Sequence, residues 1–200
     1  MKASRFVAAA VLATAISMGS AKAATITVDG EGSHTGTLLQ AIFDISLETV
    51  MDSIYTFSVT ITNVDLGQLG DNILTGFALV SDPPSTYSDD NSSVFNYVAG
   101  GSLNAGVTNS YDFCFNSGPS RSCNGGSGGL SEGQTDSFQL SVTADSQPNF
   151  FGAAGRWQSV GDGNADSGTG MGVVPLPAAG WLLIGALGGL AALRRKRKAA

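Results

Sequence analysis

Tyr55-Thr56-Phe57-Ser58-Val59-Thr60-Ile61-Thr62 alternates apolar and hydroxyl side chains without a fault. Side chains of an extended strand point to opposite faces in turn. Period two therefore puts Tyr55, Phe57, Val59 and Ile61 on one face and the hydroxyls on the other. Aromatic and β-branched residues also suit a pleated, half-buried surface. One dry face and one wet face is the pattern of an antiparallel sheet. Upstream, Phe43-Asp44-Ile45-Ser46-Leu47-Glu48 repeats it, and Ser137 to Thr143 repeats it downstream. Between the first two, Leu47, Val50, Met51 and Ile54 also fit a helical spacing. The cleaner alternation on either side predicts strand–turn–strand there. Shorter strands are predicted at Thr25–Val28, Leu74–Val80, Val94–Val98, Tyr111–Phe115 and Arg156–Val160, separated by Gly, Asn, Asp, Ser and Pro clusters. About eight short strands with polar connections predict a mainly β domain, an antiparallel β-sandwich with a jelly roll as its variant.

Composition agrees with thin strands and loops. Gly supplies 27 of 200 residues and charged residues only 13%, against averages of about 7% and about 25%. The charges are also segregated. All 16 acidic residues lie between Asp29 and Asp166, where Arg121 and Arg156 are the only cations, a formal charge of −14 for that stretch. Such a body lacks the cations that nucleic-acid binding requires. It is also repelled by anionic lipid headgroups.

The two ends differ from the middle. Lys2 and Arg5 precede an apolar run from Phe6 to Ile16, and Ala21-Lys22-Ala23 supplies small residues before Ala24. This is the order of a secretory signal peptide, cut by signal peptidase after Ala23. The run is too short for a membrane span, which needs about 20 apolar residues. At the other end, Ala178 to Leu193 carries no charged side chain. As a helix it extends about 24 Å, enough with a few extended residues to cross a core of about 30 Å. Trp181 suits the outer interface, and Pro177 suits a first helical turn. Arg194-Arg195-Lys196-Arg197-Lys198 follows at once as a stop-transfer cluster that stays cytoplasmic. The expected organisation is a signal peptide at 1–23, an exported domain at 24–171 and a membrane-anchoring segment at 172–200. The domain then lies outside the inner membrane and the C-terminus inside.

The anchoring segment carries a more specific pattern. Val174-Pro175-Leu176-Pro177-Ala178 leads into Ala179-Gly180-Trp181, a short apolar helix and a basic cluster. This order resembles the VPLPA variant of the PEP-CTERM sorting domain of Gram-negative bacteria. Leu176 stands between the prolines where the parent tripeptide has Glu, which leaves the cleavage position open. The resemblance implies recognition by an exosortase, processing near the proline motif, and delivery to the cell surface or the exopolysaccharide matrix. It implies a non-catalytic structural or adhesive domain, with signal peptidase and exosortase as processing partners and exopolysaccharide as a further one.

In an exported domain Cys114 and Cys123 are expected to form a disulfide, because the compartment is oxidising and the loop between them holds turn formers. Arg156 is expected to pair with a carboxylate, and Trp157 and Val160 to be partly buried. Asp162, Asn164 and Asp166 alternate oxygen ligands as calcium loops do, which makes them a candidate Ca²⁺ site. The match ends there, since Ser167 stands where such a loop needs Gly. No other cofactor is indicated. Gly125-Gly126-Ser127-Gly128-Gly129 fits the hydrolase pattern G-x-S-x-G, but no helix-forming run follows it, and the sole histidine, His34, precedes it. Glu31, Glu48 and Glu132 are the only glutamates, and no spacing brings two of them together for glycosidase chemistry. A carbohydrate-binding module is the alternative reading. It would draw on Tyr87, Phe95, Tyr97, Phe150 or Phe151. A hydrolase ranks last.

Overall fold

The computed structural model describes residues 23–174, except 69, 100–102, 104–110, 120–122, 124 and 163–165. Ten strands follow one another: β1 (Ala24–Gly32), β2 (Leu38–Met51), β3 (Ile54–Asn63), β4 (Ile73–Asp82), β5 (Thr86–Asp90), β6 (Asn96–Tyr97), β7 (Phe113–Asn116), β8 (Thr135–Thr143), β9 (Asn149–Val160) and β10 (Asp166–Val173). The expected alternating strands are present and antiparallel, and no helix occurs among the described residues. The signal and anchor helices lie outside them. β2 and β3 meet at Met51↔Ile54 across a two-residue turn in which Asp52 takes a φ of 54°. The Leu47–Ile54 region is thus strand–turn–strand.

The architecture differs from two separate sheets. One continuous sheet runs β5-β8-β3-β2-β1-β10-β9-β4-β7-β6 and curls until it is nearly closed into a barrel. The halves on either side of the β1–β10 pair face each other across a shared core. Phe57 on β3 meets Phe150 on β9 edge to face at 5.0 Å, and Phe43 on β2 lies 5.5 Å from Phe77 on β4. Phe77 also stacks on Phe115 at 4.7 Å. At the open seam Tyr87 of β5 lies flat on Tyr97 of β6, ring centres 3.8 Å apart. The two edge strands are therefore joined by side chains. Exposed strand edges invite pairing with other chains, and this stack covers one.

The sharp fold along β1 and β10 has a local cause. The inward positions of β10 are Gly168, Gly170 and Gly172, and Gly30 and Gly32 stand on β1. A Cβ on Gly168 would lie 2.7 Å from the Glu31 carbonyl oxygen, and one on Gly170 would lie 2.7 Å from the Gly30 Cα. Only residues without side chains let the two backbones approach so closely.

On the outer faces the hydroxyls pair across strands: Thr56 with Ser141 at 3.1 Å, Thr60 with Ser137 at 3.0 Å, Thr62 with Thr135 at 3.0 Å. Such cross-strand pairs each contribute about 0.2–1 kcal/mol and fix register. Cys114 and Cys123 form the disulfide, Cα atoms 5.8 Å apart. With Ala78, Ala154, Val98 and Leu103 it makes a small second core on the outside of β4, β7 and β9.

The chain enters and leaves at one end of the barrel. β1 begins there at Ala24 and β10 finishes there at Val173, because each runs antiparallel to its neighbours through the registers Ala24↔Ile45 and Asp29↔Met171. The body extends past the expected boundary at residue 171. Val174 packs against the core and donates its amide to the Phe151 carbonyl at 2.9 Å.

Candidate functional site

A dense polar cluster lies at the opposite end, where the β1–β2 loop meets the start of β10. Asp166 opens β10 beside a register shift and turns its carboxylate under the β1–β2 loop. Its Oδ2 accepts from the amides of His34 at 2.7 Å and Thr35 at 3.0 Å, and from the Thr35 hydroxyl at 3.1 Å. Its Oδ1 accepts from the Ser167 amide at 2.7 Å and lies 3.0 Å from His34 Nδ1. Backbone amide donation, led by His34, holds this carboxyl well below the usual carboxylate range. The result is a charged latch between β10 and the β1–β2 loop. A cation bound through Asp166 would have to displace these donors, since an ionised carboxylate offers about four lone-pair sites. Asp162 is exposed, and Asn164 lies outside the described residues. Among the described residues no three of His, Cys, Asp and Glu converge on a point that could hold a metal ion.

A second, fully buried network lies beside the latch. The Trp157 indole N–H donates to Asn63 Oδ1 at 2.9 Å, and Asn63 Nδ2 donates to the carbonyls of Asn72 at 2.5 Å and Leu130 at 2.9 Å. Asn72, at a φ of 31°, accepts the Gly161 amide at 3.2 Å. Trp157 and Val160 are fully buried, deeper than the sequence suggested. Gly155 makes room for the indole, since a Cβ there would meet the ring at 2.5 Å. Neither Asn63 nor Asn72 stands out in the sequence. The only signal is an Asn closing a β-branched strand.

The remaining predicted residues fall into structural places. Arg156 makes no ion pair among the described residues, contrary to expectation, and its Nε is buried without a partner. Burial pulls its guanidinium below the ordinary value while Asp166, acting through space, opposes this. Ser127 is exposed on a glycine coil laid over β4, not at a strand-to-helix turn. Ser117 ties that coil down: its amide donates to the Thr75 carbonyl at 2.9 Å, and its hydroxyl lies 3.0 Å from the Gly128 carbonyl, to which it can donate. A Cβ on Gly118 would lie 3.1 Å from the Ser127 carbonyl oxygen. In the coil itself, a Cβ on Gly126 would run into the Ser117 carbonyl and one on Gly129 into the Leu74 carbonyl, so close backbone packing accounts for these two glycines. His34 has Asp166 as its ring partner. Glu48 accepts from Gln139 on β8, whereas Glu132 accepts from the Leu66 amide in the β3–β4 loop, so these two are not paired. Of the aromatic candidates, Phe95 and Phe150 are buried in the core and Tyr87 and Tyr97 form the seam. Burial and Asp90, which accepts the Tyr87 hydroxyl at 2.7 Å, push that phenol up. Phe151 is exposed.

The chain matches no protein-family description, no curated protein and no solved structure. Any functional reading therefore rests on the sequence and on this geometry.

Proposed function

We propose that the chain is an exported precursor whose β-domain is a non-catalytic structural or adhesive element, delivered to the cell surface or the exopolysaccharide matrix by exosortase-type sorting. The observation that carries this reading is the extent of the folded body. Its first described strand begins at Ala24, the residue after the expected signal-peptidase cut, and its last described strand ends at Val173, immediately before Val174-Pro175-Leu176-Pro177-Ala178. The described strands thus lie between the expected signal-peptidase cut and the proline motif, whose first residue, Val174, packs against the core. A core filled by Phe, Trp and aliphatic side chains and an outside of hydroxyls and carboxylates suit a solvated, load-carrying module. The charge of the body keeps copies apart, and divalent cations such as Ca²⁺ would link them to one another or to acidic polysaccharide. In the native host, replacing both Pro175 and Pro177 with Ala is expected to leave the unprocessed chain in the inner-membrane fraction. Unchanged release of the double variant would overturn the sorting assignment.

A further inference from the structure

Large apolar side chains are exposed unevenly over this barrel. Met51 is 73% exposed, and Val50 and Ile54 beside it at the β2–β3 turn are 53% and 40% exposed. Val173 is 66% exposed at the end of β10, and Phe151 is 46% exposed near the start of β9. The registers put all five at the end where the chain leaves the sheet. Phe151, Val173 and Met171 also line an apolar groove of about 300 Å³, together with Val80 and Tyr111. The Tyr111 hydroxyl is buried there with no partner among the described residues. Exposed apolar side chains gathered at one end of a barrel mark a contact site. Leu38 and Leu66, at the other end, do not share that position.

The chain itself indicates what the end faces. Ala178, where the apolar span begins, is four residues beyond Val174. Four extended residues reach at most about 14 Å. A body tethered that closely, through the end carrying these side chains, holds that end no more than about 14 Å from the start of the span. We infer that the β2–β3 turn and the Phe151–Val173 rim form a membrane-resting foot that dips into the lipid interface while the precursor is anchored. This deepens the sorting proposal and rests on its anchored precursor. The negative charge of the body, with exposed Asp52 in the turn itself, opposes anionic headgroups, so the contact suits a zwitterionic surface.

The test uses the full chain reconstituted in phosphatidylcholine vesicles, with an environment-sensitive fluorophore on Met51→Cys or, as the far-end reference, on Leu66→Cys, labelled without reductant so that the native disulfide stays closed. Both sites are solvent-exposed, which keeps the label outside the core. The expected result is a blue-shifted probe at position 51, quenched several-fold more by brominated lipid than the probe at 66. Co-flotation with vesicles but equal, weak quenching at both sites would overturn the foot and leave the anchor intact. Failure to float would overturn the anchored precursor and the foot with it. A blue shift at 51 that ignores brominated lipid but grows with protein concentration would assign the patch to a second copy and overturn the lipid contact.

Discussion

Replacing Asn63 with Ala tests the buried network that joins the strands at the far end of the barrel. The side chain accepts the Trp157 indole N–H at 2.9 Å and donates to the Asn72 and Leu130 carbonyls. Both Asn63 and Trp157 are essentially inaccessible to water. Truncation leaves the indole N–H and the Asn72 carbonyl without these partners. A buried polar group left unsatisfied costs about 1–3 kcal/mol. The Leu130 carbonyl loses less, because it still accepts the Leu74 amide at 2.8 Å. The expected loss is about 2–5 kcal/mol, a large share of the roughly 5–15 kcal/mol that holds a domain together. The assay is urea unfolding followed by far-UV circular dichroism, since Trp157 is itself part of the network. Trp157→Phe alone should also destabilise, by removing the donor and part of the ring. Combined with Asn63→Ala it should cost less than the two single losses added together, because one bond cannot be lost twice. A loss below about 1 kcal/mol for Asn63→Ala, or strict additivity of the pair, would refute the reasoning.

Two further outcomes follow from the same end of the barrel and from its glycine seam. Gly170→Ala is expected to lower the urea midpoint strongly, because its Cβ has no room against the β1 backbone. The same change at Gly67, whose Cβ would meet nothing within 4 Å, costs only the strain of its φ of 67°. Equal losses at the two positions would remove the seam argument. Asp166 is held ionised in the fold below its ordinary value of 3.8. The unfolded chain therefore takes up its proton first on acidification. The stability contributed by Asp166 is fully present above about pH 4 and is lost as pH falls through the depressed folded value. Urea midpoints measured from pH 7 down to pH 2 should fall more steeply for the wild type than for Asp166→Asn over the acid range. Parallel curves would show that the latch does not couple to protonation.

Period-two alternation made β2, β3 and β8 legible in the sequence, because each has one buried and one wet face. β5 and β10 escaped it for different reasons. Tyr87 is the only large apolar residue of β5, an edge strand, and alternate residues of β10 are glycine, which carries no hydrophobic signal. The single curled sheet depends on pairing β1 with β10, strands far apart in the chain whose contact no local pattern encodes. The spacing of Gly168, Gly170 and Gly172 was visible, but its meaning needed the neighbouring backbone. At the polar end, alternate oxygens at Asp162, Asn164 and Asp166 are visible in the sequence, but the partners that hold Asp166 are not. Its actual donors, His34 and Thr35, come from a loop more than a hundred residues away in sequence. The disulfide was legible because the short loop of turn formers between Cys114 and Cys123 lets the two cysteines meet. Charge balance alone does not say which carboxylate a partly buried guanidinium can reach, and Arg156 makes no ion pair among the described residues.

Intact and peptide mass spectrometry of the protein recovered from its native host bears most directly on the account. The predicted species begins at Ala24, is two hydrogens lighter than the reduced chain because Cys114 and Cys123 are joined, and ends near Val174–Ala178 without the basic cluster. A recovered chain that retains Met1 and Lys198, with both cysteines free, would contradict it.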